Sequence, residues 1–188
     1  MKKKLDSFKV LMISFISYAF IGWLYEVGLF LVRQHHFYNR GFLYGPYLPI
    51  YGFGGLVIYA VFKKLKEKPV KIGKVNIRPL LLIIYIAAMA MAVELLSTYI
   101  CDLFKVDWRE LWTYEGQFMN FQGRIALKPG LYFGIIGVIV LYFVQPLIEK
   151  VKKSNNKILN IIIWLIILIF FIDCIIHIFT GSTYVGPA

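Results

Sequence analysis

Asn39-Arg40-Gly41-Phe42-Leu43-Tyr44-Gly45-Pro46-Tyr47-Leu48-Pro49-Ile50-Tyr51-Gly52-Phe53-Gly54 stands at the entrance of an apolar segment. It combines one arginine, two prolines, four glycines and three tyrosines. A plain lipid-facing helix has no need of that mixture. Proline removes backbone donors, glycine lets backbones approach closely, and tyrosine offers a hydroxyl beside an apolar ring. Irregular backbone is stable at membrane depth only where protein or a watery cavity covers it. The stretch therefore predicts a helical membrane protein in which this segment lines a site.

Composition carries the same message. The 188 residues are 60% hydrophobic and 18% aromatic, whereas a soluble domain is about half apolar. The expected fold class is all-α: a polytopic transmembrane helix bundle forming a single integral membrane domain over residues 1–188. No polar stretch is long enough for a separate soluble domain. The formal net charge of +11 falls in short loops between apolar runs. It reads as a record of topology in a lipid bilayer and not as a nucleic-acid footprint. Two cysteines, Cys101 and Cys174, fit no metal or disulfide framework, and free thiols are the expectation, with a bridge left open. Met1-Lys2-Lys3-Lys4 resembles a signal n-region. The apolar run after it is long, contains Glu26 and lacks a small-residue cleavage site, so it reads as a retained first span.

A span needs about twenty mostly apolar residues. Five segments supply this: residues 8–32, 42–62, 79–101, 124–148 and 158–180. The fourth carries an expected kink at Pro129-Gly130. Residues 108–121 read as an outer segment between spans three and four, either interfacial or re-entrant. Counting Lys and Arg in alternate connecting segments gives fifteen against six. That bias predicts a cytoplasmic N-terminus and an external C-terminus. It also sets the 39–54 stretch and the long third loop on the outer side, with Trp108, Trp112 and Tyr114 suited to the interface.

Three acids fall well inside apolar segments: Glu26, Glu94 and Asp173. Charge at membrane depth is costly and turns toward a bundle interior or cavity. A helix rises about 1.5 Å per residue, which puts all three in the outer halves of spans that run in one direction. Each sits on a small or polar stripe: Ser14, Tyr18, Gly22 and Glu26; Ala87, Ala90, Glu94 and Ser97; Asp173, His177 and Thr180. Gly130, Gly134 and Gly137 add a packing surface. The predicted site is an outer-half polar pocket in which Glu26, Glu94 and Asp173 are balanced by Arg40 and Arg124. Asn39, Tyr44, Asn120 and His177 complete its hydrogen bonds. The competing view is a charge network that serves helix packing alone. Asp173 and His177 share a face, yet no paired metal-binding signature is present, and neither metal nor cofactor is expected. There is no Walker A sequence and no Gly-x-Ser-x-Gly elbow, so nothing in the spacing demands an enzyme.

Gly22-Trp23-Leu24-Tyr25-Glu26, the 39–54 block, Glu94, Trp112, Tyr114 and Asn120-Phe121-Gln122-Gly123-Arg124 together resemble the bacterial membrane family called putative ABC-transporter type IV, or CmpB-like. The resemblance runs from the first span into the fourth. It implies a permease-type transport component of the bacterial cell membrane. A separate ATPase or second membrane subunit is then the expected partner, or a homo-oligomer. Two alternatives stay open. One is a membrane-embedded enzyme or binding protein acting on a lipid head group or lipid-linked substrate at the outer leaflet, held by Arg40 and Arg124. The other is an accessory structural membrane protein.

Overall fold

The computed structural model describes residues 2–37, 39, 43–110, 112–154 and 156–181. They form α1 (Lys2–Gln34), α2 (Pro49–Lys66), a hairpin of β1 (Lys71–Ile72) and β2 (Val75–Asn76), and α3 (Arg78–Leu103). A 3-10 turn (Trp108–Glu110) follows, then a second hairpin of β3 (Asn120–Phe121) and β4 (Ile125–Ala126). The chain continues through α4 (Leu127–Ile139), a π-turn (Val140–Val144), α5 (Gln145–Lys153) and α6 (Lys157–Thr180). Among the described residues, four helical stretches are long and apolar enough to cross a membrane: Leu5–Val32, Arg78–Leu103, Leu127–Val151 and Lys157–Thr180. On α6, Ile161, Leu165, Leu168 and Ile172 are all exposed. Such a surface suits lipid and not water.

The helix α2 differs from the others. Its 18 residues begin at Pro49 and end with Lys63, Lys64 and Lys66 in the last turn. The residues before it, 43–48, are bends and coil. Proline at the first helical position explains the late start, because it fits there and disfavours helix in the residue before it.

The fourth apolar segment also departs from its expected geometry. Its helix begins at Leu127, so Pro129 lies in the first turn, where a missing N–H costs nothing. The irregularity falls later, in the π-turn just before Pro146. A proline ring collides with the carbonyl four residues back, and a widened turn relieves that collision.

The chain divides into two compact units, residues 1–60 with 142–188 and residues 61–141. In the first, Phe15, Ile16, Leu43, Ile163, Ile167 and Phe170 form a buried cluster. Phe15 meets Phe53 edge-on at 4.9 Å and Phe170 at 5.7 Å between ring centroids, a favoured aromatic geometry. Glycines set the helix spacing. A Cβ on Gly22 would enter the Tyr51 ring, and one on Gly55 would enter the Tyr18 ring. The start of α6 is capped by Asn156, whose side chain accepts the N–H groups of Ile158 (2.9 Å) and Leu159 (3.2 Å). Lys9, 7% exposed, donates to Asn160 Oδ1 at 2.6 Å.

In the second unit α3 packs against α4. A Cβ at Gly134 would run into the Ile83 backbone carbonyl, and one at Gly130 would strike Met91. The lysine-rich loop between α2 and α3 carries a tight, exposed hairpin. Ile72 pairs with Val75, and Gly73 takes φ +59° in the two-residue turn, as a primed turn requires. Asn76 Oδ1 accepts the Val70 and Arg78 N–H groups at 3.3 and 3.1 Å, and Arg78 Nε donates to the Lys68 carbonyl at 2.6 Å.

Because the atom facing Gly134 is backbone, Gly134→Leu cannot be absorbed by a rotamer change. It should cost about 1–3 kcal/mol and lower the melting midpoint of the detergent-solubilised protein. Gly54→Ala, where a Cβ meets nothing within 4 Å, should melt at or slightly above the parent. Superimposable melts for the two variants would reject this packing account.

Candidate functional site

In the first unit, Asp173 organises the polar chemistry. It lies on α6 among apolar neighbours and is 8% exposed. Its Oδ1 accepts the Tyr44 N–H at 3.0 Å and its Oδ2 the Gly45 N–H at 2.8 Å. Both donors belong to the non-helical segment before α2. A carboxylate on a membrane helix thus satisfies backbone groups that the prolines exclude from a helix. Gly45 is required by contact: a Cβ there would stand 2.5 Å from the Tyr47 ring and 3.0 Å from Asp173 Oδ2. The Tyr44 hydroxyl lies 2.6 Å from Thr180 Oγ1. Thr180 donates to the Ile176 carbonyl at 2.8 Å, so Tyr44 is the donor of that pair. His177 lies one turn beyond Asp173 on the same face of α6.

Two further contacts belong to this unit. Tyr51 donates to Glu26 Oε1 at 2.5 Å, and Trp23 Nε1 donates to Asn39 Oδ1 at 2.7 Å. The small residue at Gly22 that lets the Tyr51 ring lie against α1 sits one turn before Glu26. Arg40 lies outside the described residues.

In the second unit, Glu94 Oε1 accepts the Tyr114 hydroxyl at 2.7 Å. Arg124 Nη2 lies 2.6 Å from Asp102 Oδ2, with the two side chains 13% and 44% exposed. The guanidinium also sits over the rings of Tyr99 and Trp108, at 4.6 and 4.8 Å from their centroids. Its Nε and Nη1 are buried and meet no acceptor among the described residues. Its charge is therefore answered by one carboxylate and two ring faces, each of which attracts a cation.

The connection that presents Arg124 is tightly specified. Gln122 (φ +55°) and Gly123 (φ +69°) are the central residues of a primed turn closed by Arg124 N–H to Phe121 carbonyl at 3.0 Å. Asn120 holds it from inside, donating from Nδ2 to the Gln117 carbonyl at 2.8 Å and accepting the Gly123 N–H at 3.1 Å on Oδ1. Trp112 Nε1 reaches the Arg124 carbonyl at 3.2 Å.

Of the nine residues predicted from sequence, Glu26, Asn39, Tyr44, Asp173 and His177 belong to the first unit, and Glu94, Asn120 and Arg124 to the second. Asn120 shapes the turn. Tyr51 and Asp102 were missing from the prediction. Tyr51 could have been found from Gly22, since a small residue one turn from an intramembrane acid marks where a partner approaches. Asp102 carries no such mark, because it lies at the end of an apolar run where any acid looks solvated. Cys101 and Cys174 are free thiols. Among the described residues no group of three or more His, Cys, Asp or Glu side chains is placed to hold a metal ion.

Asp102→Asn would leave the largely buried Arg124 guanidinium without its carboxylate, at a cost of about 1–3 kcal/mol. Asp107→Asn removes an exposed pair with Arg109 at 3.8 Å, while its amide oxygen can still accept the Arg109 N–H that Asp107 Oδ1 accepts at 3.0 Å, so it should stay within about 0.5 kcal/mol of the parent. Thermal melts of the two variants side by side check this, and equal effects would refute the assigned role of Asp102.

No curated protein and no solved structure matches the chain. The profile of the family described as putative ABC-transporter type IV matches residues 13–178. That match runs from the first half of α1 to the last turn of α6, and it covers the described segments that carry Asp173, Glu26, Glu94 and Arg124. The chain is a membrane protein belonging to the putative ABC-transporter type IV family.

Proposed function

We propose that this protein is a permease-type component of a transport system in the bacterial cell membrane. The observation that carries the reading is Asp173 holding the non-helical segment before α2. Transport proteins place interrupted helices and intramembrane carboxylates where a solute passes, because such backbone is stable only against protein or water. In the first unit the substrate-facing groups are Glu26, Asn39, Arg40, Tyr44, Asp173 and His177, in the outer half of the membrane. In the second unit they are Glu94, Asn120 and Arg124. The α2 helix is the fifth crossing, with the N-terminus cytoplasmic and the C-terminus outside, as the loop charges favour. With no Walker A sequence of its own, the chain takes energy from a separate ATPase subunit, and it works paired with that partner or with further membrane subunits.

A second reading, binding of an anionic lipid head group, draws on Arg124, whose Nε and Nη1 have no acceptor among the described residues. Planar guanidinium donors suit such oxygens.

Comparison of a deletion strain with complemented strains separates these readings. Deletion should change the intracellular level of one class of small solute, and its uptake should return on complementation. Asp173→Asn should restore less than about a tenth of the flux per molecule of protein in the membrane, since removing a single well-placed interaction of this kind costs more than about 1.4 kcal/mol. Full restoration by Asp173→Asn would overturn the assignment of Asp173. A strain altered only in its lipid head groups would move the function to the second reading.

A further inference from the structure

A second polar cluster lies in the first unit, built from residues the outer-half site does not use. On α1, Ser7, Val10, Leu11 and Ser14 follow spacing three, one and three, which puts them on one face. On α2, Leu56 and Tyr59 are three apart, and on α5, Gln145 and Glu149 are four apart. These eight residues line a groove of about 410 Å³. Ser14, Tyr18 and Gln145 are all but fully buried, at 3%, 2% and 2% exposure. Tyr18 stands one turn beyond Ser14.

The hydrogen bonds in this cluster run one way. Ser14 bonds the Tyr18 hydroxyl. Tyr18 donates to Gln145 Oε1. Gln145 Nε2 donates to Glu149 Oε1 at 3.4 Å, and Tyr59 donates to the same oxygen at 3.0 Å. Donors from α2 and α5 thus converge on one carboxylate oxygen, and Tyr18 on α1 fixes the α5 donor from behind. Among the residues whose side chains the structure describes, which exclude Lys152 and Lys153, none donates to Glu149 Oε2 and no Lys or Arg lies within ion-pair distance of Glu149. What the groove still offers is an acceptor bearing negative charge.

That inventory selects the ligand by chemistry. A carboxylate oxygen that no described side chain satisfies suits a cation that brings its own N–H groups. The volume falls in the range of about 300–1,000 Å³ that holds small organic molecules and far exceeds a bare metal ion. Val10, Leu11 and Leu56 supply apolar wall for carbon substituents, and the Tyr59 ring borders the same space. A widened turn immediately precedes Gln145, and such turns occur frequently at functional sites.

We infer that the groove lined by α1, α2 and α5 is a binding site for an organic ammonium group, with Glu149 as its counter-ion and the Tyr18–Gln145 pair holding the carboxylate in place. The ammonium group is either that of a soluble primary amine or the head group of phosphatidylethanolamine. This site is independent of the transport reading, since Asp173 takes no part in it.

The test uses full-length protein and n-butylammonium chloride as probe, with sodium butyrate and sodium chloride as controls. Butylammonium should raise the melting midpoint saturably and bind by calorimetry, and the controls should do neither. Glu149→Gln should abolish the shift. Leu11→Trp, at a groove wall where Leu11 is half exposed (51%), should weaken binding at least tenfold by filling the space. In nanodiscs, affinity lower by fivefold or more with phosphatidylethanolamine than with phosphatidylglycerol alone supports the lipid head group as occupant. Equal affinity supports a soluble amine. No saturable response from the parent protein overturns the proposal, as does an equal response from Glu149→Gln. Should that variant fail to fold, undiminished binding by Leu11→Trp overturns it.

Discussion

Two backbone N–H groups and one carboxylate decide the architecture of the first unit. Tyr44 and Gly45 donate to Asp173 because the prolines beside them leave no helix to take those bonds. An unsatisfied N–H in an apolar setting costs several kcal/mol. Buried carboxylate oxygens need donors just as badly. Each solves the other's problem, and the result ties the segment before α2 to the last turns of α6. Gly45 makes the approach possible, since any Cβ there would press on both Tyr47 and Asp173.

The same economy recurs at the other acids. Glu26 accepts from Tyr51, Glu94 from Tyr114 and Glu149 from Tyr59. A phenol satisfies a carboxylate without bringing a second charge out of water, and its ring remains compatible with apolar packing. It reaches the acid where the opposing helix offers room, as Gly22 does for the Tyr51 ring that meets Glu26. In lipid there is little hydrophobic gain from helix association, so close contact over small residues and hydrogen bonds between segments hold the helices together. Asp102 is instead met by the charge of Arg124, which adds two aromatic faces to share the load.

Much of this was legible in the residues. The apolar runs marked the long helices, because 3.6-residue geometry and bilayer thickness leave few other options. Gly–Pro chemistry marked the break before α2. The intramembrane acids stood out as groups in need of partners. The partners themselves were harder to see. Asp102 was hidden by its place at a helix end, and the partners of Ser14 and Tyr18 by their ordinary kind: a tyrosine, a glutamine and a terminal glutamate attract no notice singly. The expected kink at Pro129-Gly130 was displaced to the π-turn before Pro146, because a proline in a first turn is harmless and one further along is not.

The amino-acid sequence by itself determined that this is a helical membrane protein, where its long helices run and which stretch must leave helical geometry. Those follow from local rules: hydrophobic length, missing N–H groups and the stiffness of proline. Only the tertiary structure decided which donor meets which acid. Asp173 and Tyr44 are 129 residues apart in the chain, and Tyr18 and Gln145 are 127 apart. No local pattern encodes such pairings, because they depend on how helix faces are rotated against one another, and that rotation is set by packing over glycine and aromatic side chains.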